Sequence, residues 1–192
     1  YHAPFSRSTK SDTVFAPARR GTLTHKILEL IDYSEKNDEK RIREFTRSLV
    51  GRGLMTEEEA SAVSYSDIAS FFSSELGKRA CRAVKRRNEW AFTMKKSTAE
   101  LAAEADSPEI SRAVADSLPS KILIQGVIDC AFRDESGIVV IDFKTDWCSA
   151  ADERNGFSRF KKLYGRQIEL YCEVVEKEYG EPVERASLFM LR

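Results

Sequence analysis

After Gly21-Thr22, the apolar residues Leu23, Ile27, Leu28, Leu30 and Ile31 recur at helical spacing and predict a helix over Leu23–Tyr33. A second helix reads from Asp38 to Val50 and stops at Gly51-Arg52-Gly53, a C-cap and loop signal. Thr56-Glu57-Glu58-Glu59 is a capping box that opens a short helix. Ser66 is placed to cap the next helix, which carries Ile68, Phe71, Phe72 and Leu76. Near Asn88 the pattern changes. Glu89–Met94 is aromatic-rich and reads as a strand, and Ile122–Arg133 and Ile138–Thr145 read as two more, joined by Asp134-Glu135-Ser136-Gly137 as a hairpin. Residues 97–120 are ambiguous, because an Ala-rich helical composition is broken by Ser107-Pro108 and Leu118-Pro119. A long amphipathic helix is expected over Ser158–Tyr179, stopped by Gly180 and Pro182, with a last strand over Ala186–Leu191. Helices first, then β-β-β-α-β, predict a mixed α/β fold.

Length fits this picture: 192 residues suggest one domain more simply than two. Residues 1–20 are polar, aperiodic and carry two prolines, so they are expected to be a tail or linker. Residues 21–192 are expected to form one domain, helical over about 21–87 and sheet-bearing over about 88–192. The chain does not begin with Met, which suggests a piece of something longer or a processed product. It has no basic-then-apolar leader and no apolar run of membrane-helix length, so a cytoplasmic, membrane-free protein is expected. The four cysteines include no Cys-x-x-Cys pair and are read as reduced. Neither GxxxxGK[ST] nor GxGxxG occurs, which argues against nucleotide hydrolysis by this piece. The 31 Lys and Arg balance 31 Asp and Glu, so overall charge gives no pointer to nucleic acid, and distribution matters more.

The predicted hairpin carries the chemistry. With a two-residue Glu135-Ser136 turn, Asp134 faces Gly137 and, in the same register, Asp129 faces Asp142. Lys144, two residues on from Asp142, points to the same side. Carboxylates this close must share a proton or hold a cation, and hard oxygen donors favour Mg²⁺ or Mn²⁺. The alternative is a solvent-facing charged stripe with Lys144 neutralising one Asp. The apolar flanks Ile128, Cys130, Ile141 and Phe143 weaken it, because both sheet faces then look covered.

Asp129, Asp142 and Lys144, set in Gly126-Val127-Ile128-Asp129 and Val140-Ile141-Asp142-Phe143-Lys144-Thr145, resemble the PD-(D/E)XK nuclease signature, and most closely its RecB/AddA branch. Gly21–Glu29, with His25, resembles that branch's N-terminal helix, and Gln167-Ile168-Glu169-Leu170-Tyr171 resembles its QxxxY motif. Gly53–Ala60 and Glu89–Phe92 resemble connecting segments of AddA-type helicase–nucleases. The resemblance spans roughly residues 21–191. It implies a restriction-endonuclease-like core, a central mixed sheet flanked by helices, with an N-terminal helical subdomain.

By the same resemblance, His25, Asp129, Asp142 and the backbone carbonyl of Phe143 would hold Mg²⁺ or Mn²⁺, and Lys144 would orient the attacking water. Gln167 and Tyr171, four apart on one helix face, and Glu89, at the start of the first strand, would support the site. DNA is the implied substrate, cut exonucleolytically in double-strand break repair and recombination. The implied partners are a helicase motor in the same parent chain and a separate AddB-like protein. Iron–sulfur relatives use a closely spaced cysteine group after the QxxxY helix; Cys172 alone cannot supply it, so no cluster is expected. Two basic groups, one of Lys78, Arg79, Arg82, Lys85, Arg86 and Arg87, the other of Arg154, Arg159, Lys161, Lys162 and Arg166, are candidates for phosphate contact. His2 lies in the expected tail and takes no part in the pattern. The competing readings are a degenerate nuclease fold that grips DNA without cutting, and a domain that only docks a partner protein.

Overall fold

The computed structural model describes residues 17–105, 107–117, 120–146 and 148–191. His2, and most of the segment expected to be a tail, lie outside these. Helix α1 spans Pro17–Leu30 and so starts earlier than the apolar period does. It stops short of Tyr33 because Asp32 turns the chain, accepting the Ser34 N–H at 2.8 Å. Helix α2, Glu39–Gly51, is capped by Asp38, which accepts the Arg41 N–H. It ends through Gly53, whose left-handed φ of 69° lets Leu54 N–H reach Leu49 O at 2.9 Å. Helix α3, Glu57–Ser61, has the expected reciprocal Thr56–Glu59 capping box.

The helix expected through Leu76 is two helices, α4 (Tyr65–Ser73) and α5 (Glu75–Arg82). Ser64, not Ser66, stands at the α4 N-cap, and Ser66 lies inside the first turn. Ser74 breaks the run: its backbone is extended, and its hydroxyl accepts the Gly77 N–H at 3.0 Å to cap α5. Gly77 makes the sharp corner possible, since a Cβ there would sit 1.9 Å from the Phe71 carbonyl oxygen.

Strand β1 spans Lys85–Ser97, starting well before the aromatic stretch, so Glu89 is a strand-interior residue rather than a strand start. The ambiguous segment forms two helices, α6 (Thr98–Ala103), opened by a Ser97–Glu100 capping box, and α7 (Pro108–Ser117). Strands β2 (Lys121–Asp134) and β3 (Gly137–Lys144) form the hairpin, and their ladder runs from Asp134–Gly137 to Cys130–Ile141 in the expected register. A short α8 (Ala150–Arg154), not foreseen, precedes α9 (Ser158–Tyr179), which ends on left-handed Gly180. Strand β4 (Val183–Met190) closes the chain and starts before Ala186.

The four strands lie in the order β1-β2-β3-β4, antiparallel except for the parallel β3–β4 pair, whose crossover runs through α8 and α9. This is the expected mixed sheet flanked by helices. One core layer packs Cys130, Phe132, Val139, Ile141 and Phe143 against α1–α5. The other packs Ile128, Ala131, Val140 and Phe92 against Tyr171 and Val175 of α9. The buried apolar stripes explain both layers, at about 25 cal/mol per Å² removed from water. Among the described residues no helix is long and apolar enough to cross a membrane.

Candidate metal centre and active site

Residues i and i+2 of a regular strand share a face. Ile128 and Cys130 do not: the first packs in the α9 layer and the second in the α1–α5 layer. Both strands turn over at this point. On β1, Asn88 donates to the Leu28 carbonyl of α1, whereas Trp90 packs in the α9 layer. The residue between them, Glu89, has φ of 45°, a left-handed conformation that non-glycine residues avoid. The rotation brings the carboxylates of Glu89 and Asp129 to His25 of α1. His25 Nδ1 lies 3.3 Å from Glu89 Oε1 and 3.5 Å from Asp129 Oδ1. Its Nε2 donates to the Phe143 carbonyl at 3.1 Å.

Beyond Cys130–Ile141 the β2–β3 ladder gives way to a side chain. Asp129 Oδ2 accepts the Phe143 N–H at 2.7 Å. Phe143 is held from behind by the edges of Phe71 and Phe189, at centroid distances of 4.9 and 6.3 Å. Asp142 is fully buried, and its Oδ1 has no hydrogen-bond donor among the described residues. Lys144 Nζ lies 2.7 Å from Asp142 Oδ2 as an ion pair. Helix α9 fixes the other side of this lysine. Gln167 Oε1 accepts from Nζ at 3.3 Å, and the Gln167 amide donates to Tyr171 Oη at 2.6 Å. Burial pushes the Tyr171 phenol up to about 12, so it stays neutral and serves as that acceptor.

Electrostatics make this a site poised for a cation. Burial pushes Asp129 up to about 6, opposed by His25 and reinforced by the Asp142 charge. Asp142 is raised too, chiefly by burial, with Lys144 opposing. Burial disfavours the His25 imidazolium, but the Glu89 hydrogen bond and the Asp129 charge outweigh it, and its pKa is raised. One donor atom each from His25, Glu89 and Asp129 lie within 4.8 Å of one another. A six-coordinate ion with bonds of about 2.1 Å spaces neighbouring ligands about 3 Å apart, close to the 3.3 Å contact of His25 Nδ1 with Glu89 Oε1. Asp142 Oδ1, buried and without a partner among the described residues, is what a nearby cation would satisfy. The residues present fit a hard divalent ion with one nitrogen ligand.

The structure thus brings His25, Glu89, Asp129, Asp142, Phe143, Lys144, Gln167 and Tyr171 to one place. Two partners were missed in the sequence. Tyr164 is one: its ring lies 4.4 Å from Lys144 Nζ, and its hydroxyl donates to the other, Asp146, at Oδ2 over 3.0 Å. Their signals were the three-residue step from Tyr164 to Gln167 and the two-residue step from Lys144 to Asp146. The basic groups behave differently. Arg79 pairs with Asp134 and Glu184, Arg87 with Glu178, Arg159 with Asp152, and Arg166 with Glu104 and Glu169. Arg86 covers the Tyr33 ring at 3.7 Å. Arg79 is held within the fold, whereas Arg87, Arg159 and Arg166 keep about half of their side-chain surface exposed despite their ion pairs.

Comparison with known sequences agrees with this geometry. Proteins named as one of the subunits of an ATP-dependent helicase/nuclease are similar along most of the chain. The one from Bacillus cereus (strain ATCC 10987 / NRS 248) is 36% identical over 176 residues, covering 90% of this chain and 13% of the relative. That of Geobacillus kaustophilus is 34% identical over 181 residues, with 93% and 14% covered. That of Alkaliphilus oremlandii is 32% identical over 178 residues, again with 93% and 14% covered. The chain therefore spans about 14% of the length of the curated relatives it matches. The family described as PD-(D/E)XK nuclease superfamily matches residues 3–192. A match of that extent, over a mixed sheet whose hairpin sets Asp129, Asp142 and Lys144 beside one another, leaves one assignment: the chain belongs to the PD-(D/E)XK nuclease superfamily.

Proposed function

We propose that this chain is the nuclease domain of a helicase–nuclease of the AddA type and hydrolyses phosphodiester bonds of DNA, single strands in particular, as a metal-dependent exonuclease. Its place would be double-strand break repair and recombination, beside a helicase motor in the parent chain and an AddB-like partner. Residues 21–192 would act as one unit, with the helices before Asn88 bracing the sheet-bearing part. The observation that carries this reading is Lys144 held 2.7 Å from the buried Asp142, beside the cluster of His25, Glu89 and Asp129.

His25, Asp129, Asp142 and the Phe143 carbonyl would hold Mg²⁺ or Mn²⁺, with Glu89 as a further acidic partner. Such an ion, when bound, supplies Lewis-acid polarisation of the phosphate and a more acidic water. Lys144 is fixed between Asp142, Gln167 and the Tyr164 ring, so its ammonium can orient the attacking water and stabilise developing negative charge without reorganising. Gln167 and Tyr171 act through Lys144 as positioning residues. Incubating the chain with end-labelled single-stranded and duplex DNA in Mg²⁺, Mn²⁺ or EDTA tests the reading. The expected result is divalent-dependent shortening from an end, faster on the single strand; intact DNA in both metals would overturn it.

A further inference from the structure

The β2–β3 ladder reaches only Cys130–Ile141, whereas β1 and β2 stay paired out to Ser97–Lys121. Residues 91–97 and 121–127 therefore form a two-stranded ribbon that projects beyond the body of the sheet. Its two faces differ. Phe92, Met94 and Ile124 pack in the α9 layer, and Lys96 on this face is neutralised by Glu104 and Glu173 at 2.7 and 2.6 Å. The opposite face carries Ala91, Thr93 and Lys95 across from Val127, Gln125 and Leu123, with Lys121 beyond, and all of these are exposed.

Three observations identify an occupant for that open face. First, it lies opposite α9, on the side of the sheet where α1 carries His25, and Ala91 and Val127 are each two residues from Glu89 and Asp129. The face is continuous with the proposed site. Second, its ionic groups are both cations. Lys95 and Lys121 have no ion-pair partner among the described residues, in a chain where acids equal bases overall. Third, Leu123 is 55% and Val127 39% exposed, which leaves aliphatic surface between the lysines and the carboxylates. From Lys121 to Val127 the ribbon runs about 20 Å at about 3.3 Å per residue, room for several nucleotides. Phosphates need cations and bases need apolar faces, and this surface offers both in line with the site.

We propose that the outer face of the β1–β2 ribbon carries one strand of the nucleic-acid substrate to the His25–Asp129 centre, with Lys95 and Lys121 as its phosphate contacts. This rests on the nuclease reading above. The test uses the 192-residue chain with Lys144→Ala to suppress cleavage, and a fluorescent oligothymidylate whose binding is titrated against salt in Mg²⁺. Lys95→Gln with Lys121→Gln should weaken binding and lower the slope of log K against log salt by about 1.4, at about 0.7 per phosphate contact on a single strand. Lys95→Arg with Lys121→Arg should keep the parental slope, and Lys36→Gln with Lys40→Gln, the same charge change elsewhere, should leave it unaltered. With Lys144 intact, hydrolysis of bis(p-nitrophenyl) phosphate, too small to span the ribbon, should be equal with and without the lysine changes. Parental affinity and slope in the double Gln variant, with hydrolysis intact, would overturn the ribbon proposal alone and leave the face to a protein partner. No hydrolysis of the small diester or of DNA by the parent chain in any divalent ion would overturn the nuclease reading and this proposal with it.

Discussion

Asp129 accepts the backbone N–H of Phe143 at 2.7 Å, so a carboxylate side chain satisfies a buried amide where the β2–β3 ladder has stopped. One oxygen is committed to structure and the other, Oδ1, faces His25 at 3.5 Å. This double duty separates two substitutions. Asp129→Asn can still accept the N–H and should abolish divalent-dependent cleavage with little loss of stability. Asp129→Ala leaves the amide unsatisfied and should also cost about 1–3 kcal/mol. Urea unfolding of the two variants beside the parent checks the difference.

Proton competition at the centre sets a pH signature. Asp129 and Asp142 are raised in the folded chain, mainly by burial, and His25 is raised through Glu89 and Asp129 after opposing burial. The folded, metal-free chain therefore binds more protons than the unfolded chain, and these groups' contribution to stability falls as pH rises from about 4 through the Asp129 value of about 6. A divalent ion needs the deprotonated forms. Mg²⁺ or Mn²⁺ at 100 times its Kd at pH 8 should add roughly 2–3 kcal/mol of stability at that pH, and the same concentration should raise Tm less at pH 5. Scanning calorimetry with and without EDTA at both pH values measures it. An ion effect that shrinks as pH rises would contradict the assignment.

Arg79 ties α5 to the hairpin turn and to β4, donating to both oxygens of Asp134 at 2.6 and 3.0 Å and to Glu184 at 3.0 Å. The Arg79 hydrogen bonds hold Asp134 below the usual carboxylate range. A depressed acid contributes stability that is fully present above its unfolded value of about 3.9 and lost as pH falls through the folded one. The pair should therefore be insensitive to pH between 5 and 8 and fail in acid below about pH 4. Arg79→Ala should cost roughly 2 kcal/mol at pH 7, and its difference from the parent should shrink towards pH 2 in acid-unfolding curves.

Tyr164 supports Lys144 through its ring rather than its hydroxyl. Cation–π contacts are worth about 0.5–2 kcal/mol, so Tyr164→Leu should lower kcat roughly 2- to 30-fold. Tyr164→Phe should stay within about twofold of the parent. Steady-state kinetics on one oligonucleotide, with thermal melts to show that both variants fold, separates ring support from packing.

Much of this was legible in the sequence, and what was not has physical causes. The hairpin register followed from the turn at Glu135-Ser136, since a two-residue loop leaves strands one way to pair. Helix α9 was bounded by its own Gly180 stop. The α4–α5 corner was hidden because Ser74 and Gly77 break the helix by a tertiary approach to Phe71, which periodicity does not register. At the centre, Asp142 and Lys144 could be read from strand alternation, whereas Asp129 sits where β2 turns over and alternation fails. Glu89 was read as a strand end, because its turn towards His25 depends on a left-handed φ that no residue type announces. Tyr164 was missed because its place on a helix does not say whether the ring meets an apolar layer or an ammonium.

On the proposed reading, Lys144 and Asp142, paired at 2.7 Å in a buried corner, do the chemistry of phosphodiester hydrolysis. The most direct measurement is the single-turnover cleavage rate of an end-labelled single-stranded oligonucleotide in Mg²⁺ by the parent chain, by Lys144→Ala and by Asp142→Asn, at enzyme concentrations that saturate binding. A loss of at least about 100-fold is expected in both variants, with each still binding the oligonucleotide and retaining a cooperative melt. Cleavage by either folded variant at the parental rate would contradict that role for the pair.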